Sequence, residues 1–149
     1  MISPLSLFTL LSLALLIGTE FAVSAFINPV VGRLELSARI DATRRFAALL
    51  GKVMPIWYAF DFLLLIADAF VRRHQPGLAE LIAALCIWAA VIIFSLVSLV
   101  PINNRITQLS GTSVSEQALS EHRLWDTLHR VRVAALCAAF LASLLGISA

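Results

Sequence analysis

Glu20, Asp61 and His129 are the residues of this chain best suited to chemistry, because each interrupts or opens a stretch that is otherwise apolar. Two carboxylates and an imidazole provide proton acceptors and donors for acid–base work. The same trio offers the oxygen and nitrogen ligands that a transition metal such as copper or iron accepts. Asn103 and Asn104 close the third apolar stretch, and Trp125, His129, Arg130 and Arg132 lie at the start of the fourth. A charged group at the centre of a bilayer costs roughly 3 kcal/mol, so such residues face a bundle interior or a polar cavity.

These residues sit on or just at the ends of four spans, about 5–27, 53–71, 78–100 and 125–147. The 149 residues are 60% hydrophobic and only 13% charged, with a mean hydropathy of +0.95. That composition excludes disorder and leaves too little polar surface for a soluble domain. Each run approaches the roughly 20 residues that a helix needs to cross about 30 Å of hydrocarbon. No run alternates with period two, which excludes strands. The expected fold is all-α: a transmembrane four-helix bundle forming one domain over residues 1–149.

Val23-Ser24-Ala25 resembles a small-residue cleavage site, but residues 1–10 carry no Lys or Arg, the apolar run is too long, and Glu20 precedes the supposed cut. Basic residues set the orientation. Arg33, Arg39, Arg44, Arg45 and Lys52 lie between spans one and two. Arg105 and Arg123 lie between spans three and four, whereas the remaining connection has only Arg72 and Arg73. Both longer connections are expected in the cytoplasm and both termini outside, in a bacterial inner (plasma) membrane. No basic-aromatic face outside the membrane is large enough for nucleic acid.

The connections carry their own signals. Pro29 predicts a kink or boundary at Asn28, and residues 33–50 read as one or two amphipathic helical pieces on the cytoplasmic surface. Trp57 and Tyr58 fall at the depth of an aromatic belt. His74-Gln75-Pro76-Gly77 makes spans two and three an antiparallel hairpin. Pro101 is expected to stop span three. Ser110-Gly111-Thr112-Ser113 reads as a flexible link, and residues 115–122 as a helix running into span four. Cys86 and Cys137 lack metal or disulfide spacing and read as buried apolar packers. Asp68 and His74 read as interfacial.

Alternating helix directions bring Glu20, Asp61, Asn103, Asn104 and His129 to similar depths, where they would line one pocket open to the cytoplasm. His122 shares a helical face with His129, but two turns, about 10 Å, separate them. The better metal set is therefore Glu20, Asp61 and His129, with His122 as a further candidate. Without a metal the trio makes an acid–base relay. Structural readings stand beside these. Glu20 is an ion-pair partner for Arg130 or Arg132, Asp61 an interhelical hydrogen-bonding group, and His129 an interfacial histidine. Arg130 and Arg132 are snorkelling anchors, and the asparagines are helix caps. Only His129 approaches hydrocarbon, so a haem held by two histidines is not expected. Nucleotide, zinc-protease and serine-hydrolase signatures are absent.

Glu20 followed by Asn28-Pro29, the run Pro101-Ile102-Asn103-Asn104-Arg105-Ile106, and the run Trp125-Asp126-Thr127-Leu128-His129-Arg130-Val131-Arg132 together resemble the anthrone oxygenase-like family of small four-span membrane proteins, largely a domain-of-unknown-function family. The resemblance covers nearly the whole chain in order and spacing. Fungal members are associated with oxidation of anthrones to anthraquinones. The resemblance implies an integral membrane oxidoreductase acting on an apolar, aromatic phenolic substrate. His129 would be base or metal ligand, and Asn103, Asn104, Trp125 and Arg130 would orient the substrate.

Two other functions fit the same pattern. One is a non-catalytic accessory or scaffold subunit of a larger membrane complex, docked through residues 33–50. The other is a small transporter or channel, which would need a homo-oligomer to enclose a pore and lacks inverted repeats. In every case the lipid bilayer is a partner; the enzyme reading adds a lipophilic small molecule.

Overall fold

The computed structural model describes residues 2–108 and 116–149, so the predicted link at Ser110-Gly111-Thr112-Ser113 lies outside the described residues. Among the described residues every regular element is helical. Four helices are long and apolar enough to cross a membrane: α1 (Pro4–Val31), α2 (Leu36–Val71), α3 (Leu78–Ile106, with helical backbone continuing to Gln108) and α4 (Glu116–Ser148), the last apolar enough from Ser120 onward. α1 packs on α2 and α4, α2 on α3, and α3 on α4 along the longest contact. Consecutive helices are therefore neighbours around one core.

Local chemistry explains the ends. The Ser3 hydroxyl accepts from the Ser6 amide at 3.0 Å and Pro4 opens the first turn, which satisfies one of the free N–H groups there. Gly77 adopts φ 85° before α3, a conformation that only glycine takes without strain. The turn also presses on α4, because a Cβ on Gly77 would collide with the Gly146 carbonyl oxygen.

One expectation about proline changes: Pro101 does not stop span three. At Asn28, where the sequence predicts a kink or a boundary, the helix runs on through Pro29 to Val31. Each proline follows a wide π-helical turn, Val23–Ile27 in α1 and Ser95–Leu99 in α3. A proline has no N–H to donate and its ring crowds the preceding turn. A turn widened by one residue absorbs both effects and lets the helix continue. The amphipathic segment 33–50 likewise does not form separate pieces. From Leu36 onward it is continuous with span two, in one helix with Pro55 inside it.

The core is Leu13, Leu16, Leu65, Trp88, Leu136 and Ala139, all 0% exposed. Leu7, Leu15, Ile56, Leu63, Phe70, Ile93 and Leu145 point outward, as residues facing lipid do. Cys86 and Cys137 are also exposed, not buried as expected. A thiol is apolar enough to face lipid tails as readily as a core.

Candidate functional site

Glu20 is the centre of the site. It is 3% exposed, and three helices meet on it. The Tyr58 hydroxyl of α2 donates to Oε1 at 2.9 Å, and the Arg132 guanidinium of α4 donates to Oε2 at 2.7 Å. Arg132 also lies over the Tyr58 ring, 5.5 Å from its centroid. The negative charge on α1 is thereby neutralised by a cation from α4, inside the bundle, where an unpaired charge is costly.

His129 completes the cluster, 1% exposed. Its Nε2 lies 3.1 Å from the main-chain oxygen of Glu20, and its Nδ1 lies 2.9 Å from a guanidinium nitrogen of Arg132. A carbonyl only accepts and a guanidinium only donates, so Nε2 carries the proton and Nδ1 accepts. Nδ1 is also 3.3 Å from Glu20 Oε2, but the closer Arg132 contact decides the tautomer. Both ring nitrogens are engaged. His129 holds the cluster in place and keeps no lone pair for a substrate proton.

An aromatic ladder continues from there. The Trp125 ring stacks on His129 at 4.6 Å between centroids, and His122 stacks on Trp125 at 6.4 Å. The spacing of three and four residues on one face of α4 produces this alignment.

A cavity of about 670 Å³ opens beside the cluster. Glu20, Tyr58, His129 and Arg132 line it together with Asn103, Asn104, Lys52 and Trp125, and Val23, Met54, Ile92, Leu96 and Leu99 form apolar walls. Both π-turns contribute lining residues. Asn103 does not cap a helix end. It lies within the helix and its Nδ2 donates to the Ala47 carbonyl of α2 at 3.2 Å. Gly51 admits it, since a Cβ there would lie 3.0 Å from that nitrogen.

The structure thus brings Glu20, Asn103, Asn104, Trp125 and His129 to one cavity, and it separates the other candidates. Asp61 is fully buried elsewhere on the α1–α2 seam, bonded to the Ser12 hydroxyl, which also accepts from Trp57 Nε1 at 3.1 Å. Arg130 turns outward to pair with Asp126 at 2.6 Å, and Asp126 in turn holds Asn28 at 2.9 Å. Of the two arginines weighed as partners of Glu20, the one in place is Arg132.

The expected metal trio of Glu20, Asp61 and His129 is corrected on the same grounds. Among the described residues no three His, Cys, Asp or Glu side chains gather where they would hold an ion. The place of a third ligand beside Glu20 and His129 is taken by the Arg132 cation, and His122 sits on the far side of Trp125. The donor set does not fit the predicted metal.

Sequence reasoning missed Tyr58, reading it as a belt residue. Its position three before Asp61 puts both on the buried face of α2. Asp68, expected at the membrane interface, is enclosed by the protein, 0% exposed and bonded to the Ser6 hydroxyl at 2.6 Å.

The family model for anthrone oxygenase matches residues 42–142, more than half of the 149-residue chain. The chain belongs to the anthrone oxygenase family. The match takes in Tyr58, both asparagines, Trp125, His129 and Arg132. Glu20 and Asn28-Pro29 precede it, so the carboxylate at the centre of the cluster is supplied by α1, outside the family match. No curated protein matches the chain, and no solved structure does.

Proposed function

We propose that the chain is an integral membrane oxygenase acting on a flat, apolar aromatic ketone or phenol in the Glu20 cavity. One observation carries this reading: in a member of the anthrone oxygenase family, a cavity with apolar walls is lined by the linked side chains of Glu20, Tyr58, Arg132 and His129. About 670 Å³ lies within the size range of pockets for drug-sized ligands, and predominantly apolar walls with few polar groups are the usual composition of such sites.

In this reading a fused-ring substrate enters with its apolar body between α2 and α3 and its oxygen toward Arg132. Glu20 takes a proton from a ring methylene activated by that carbonyl; each carboxylate oxygen keeps a lone pair beyond its bond to Tyr58 or Arg132. The negative charge that develops on the substrate oxygen falls beside the guanidinium, which is placed before the reaction begins. Dioxygen is the co-substrate. One of its atoms becomes the new ring carbonyl and the other leaves as water with the two methylene hydrogens. His129 is a positioning residue, fixing the Glu20 main chain and Arg132 together. Asn103 and Asn104 orient the far edge of the ring. In this reading the cavity opens toward the cytoplasm and both termini lie outside, an orientation supported by the excess of basic residues in the two longer connections.

The test is turnover of anthrone by detergent-purified protein, read as anthraquinone formed and oxygen consumed above the spontaneous rate. Glu20→Gln is expected to lose at least about a hundredfold, as loss of a general base does. A wild-type rate equal to the spontaneous one, with no binding of anthrone or anthraquinone, would sink the reading.

A further inference from the structure

Among the described residues the cavity uses one of the buried carboxyl groups and leaves two. Asp61 and Asp68 are both 0% exposed. Each is bonded through Oδ1 to a serine of α1, Asp61 to Ser12 and Asp68 to Ser6. In each the second oxygen, Oδ2, is buried with no hydrogen-bond partner among the described residues. Such an oxygen is costly in an apolar bundle, and a hydroxyl in place of either carboxyl would join the helices equally well. Holding helices together therefore does not account for carboxyl groups here.

Their placement is regular. Ser6, Thr9 and Ser12 are buried at intervals of three on one face of α1. Tyr58, Asp61 and Asp68, also buried, share the facing side of α2, and the buried Arg72 follows at its end. Glu20 and Tyr58 join the column to the cavity. From Tyr58 to Arg72 it runs about 21 Å at 1.5 Å per residue, most of the thickness of the hydrocarbon. Its far end is Arg72, whose guanidinium contacts the Gly146 carbonyl of α4 at 3.4 Å beside the exposed turn at Arg73 and His74. Its near end is the cavity, lined by the exposed residues Lys52 and Asn104.

We propose that this seam carries protons between the Arg72 end of the bundle and the Glu20 cavity, with Asp61 and Asp68 as the groups that take them up and release them. A proton adds to the open Oδ2 of Asp68. The hydroxyls of Ser6, Thr9 and Ser12, with intervening water, pass it to Asp61; Asp61 releases it through water to the Tyr58 oxygen as the Tyr58 hydroxyl proton moves to Glu20 Oε1. At each hop one O–H bond breaks as the next forms, and no electron moves. Carboxyls load and unload the proton; the hydroxyls between them both donate and accept. The inference is independent of the oxidation proposed for the cavity, and either can fail alone.

The full-length protein is reconstituted in potassium-loaded vesicles of three parts phosphatidylethanolamine to one part phosphatidylglycerol, with a pH-sensitive dye inside and valinomycin added to impose a potential. The wild-type protein is expected to move protons at least fivefold faster than empty vesicles. Asp61→Asn and Asp68→Asn, which keep the oxygen facing serine, are expected to fall to the empty-vesicle rate, and Asp61→Glu to retain flux. Thr9→Val, which alters no carboxyl and keeps the side-chain shape, is expected to slow flux at least threefold with an unchanged melting midpoint. Wild-type flux no faster than empty vesicles, or full flux in Thr9→Val and in the folded Asn variants, overturns the proposal.

Discussion

Arg132 meets Glu20 at 2.7 Å across 112 residues of sequence, and the pair is almost fully enclosed, with side chains 11% and 3% exposed. Losing one partner of such a pair leaves the other charged and unsolvated, which costs about 3–5 kcal/mol. Glu20→Ala is therefore expected to lower the unfolding midpoint in detergent sharply. The double variant Glu20→Leu with Arg132→Met removes both charges and is expected to recover most of that loss while remaining inactive. A double variant as unstable as Glu20→Ala would show that the pair is not what the stability reflects.

Tyr58→Phe tests the second hold on Glu20. The ring stays, so packing against Trp88 at 5.7 Å between centroids is kept, and only the bond to Oε1 is lost, worth about 1 kcal/mol. If the hydroxyl keeps Glu20 aimed at substrate, kcat for anthrone falls about tenfold or more with KM little changed. A change confined to KM would place Tyr58 in binding instead.

Arg130 and Arg132 are two residues apart and should behave oppositely. The Arg130 side chain is 64% exposed in its pair with Asp126, and solvent-exposed pairs contribute about 0–1 kcal/mol. Arg130→Ala is expected to leave the melting midpoint and ligand affinity near wild type, whereas Arg132→Ala is expected to lose both. Equal effects in the two variants would contradict the inward placement of Arg132.

Gly51→Val narrows the cavity from α2. The first carbon of any side chain there already approaches Asn103 Nδ2 at 3.0 Å, so Asn103 must leave the Ala47 carbonyl. Anthraquinone affinity, titrated by tryptophan fluorescence in a Trp57→Phe background and read against the same background with Trp125→Phe, is expected to weaken at least tenfold, while helical content by circular dichroism is unchanged. Undiminished quenching would mean that the ligand sits elsewhere.

Gly77→Ala examines the turn. It combines a positive φ with a direct collision against Gly146, so a loss of several kcal/mol is expected, more than about 1 kcal/mol for an alanine merely strained at such a φ. A melting midpoint within a degree or two of wild type would refute the close approach.

Much was legible in the residues alone. Four apolar runs separated by basic connections determine four membrane-length helices, because hydrocarbon demands about 20 apolar residues per crossing and internal hydrogen bonding throughout. Carboxylates, a histidine and amides inside those runs mark a site, because lipid rejects them. The Pro-x-Asn-Asn-Arg and Trp-x-x-x-His-Arg runs sufficed for the family. What the sequence did not determine was rotation. Each helix turns about 100° per residue, so Arg130 and Arg132 differ by more than half a turn, and apolar residues on all sides hide which face points inward. Packing alone chose Arg132 for Glu20, drew Tyr58 out of the presumed aromatic belt, and sent Asp61 to Ser12 instead of His129. The prolines show the same division. Their positions were plain, but whether each would break its helix or widen it into a π-turn depended on the neighbouring helices, which keep both segments in the bundle and so place the turns on the wall of the cavity.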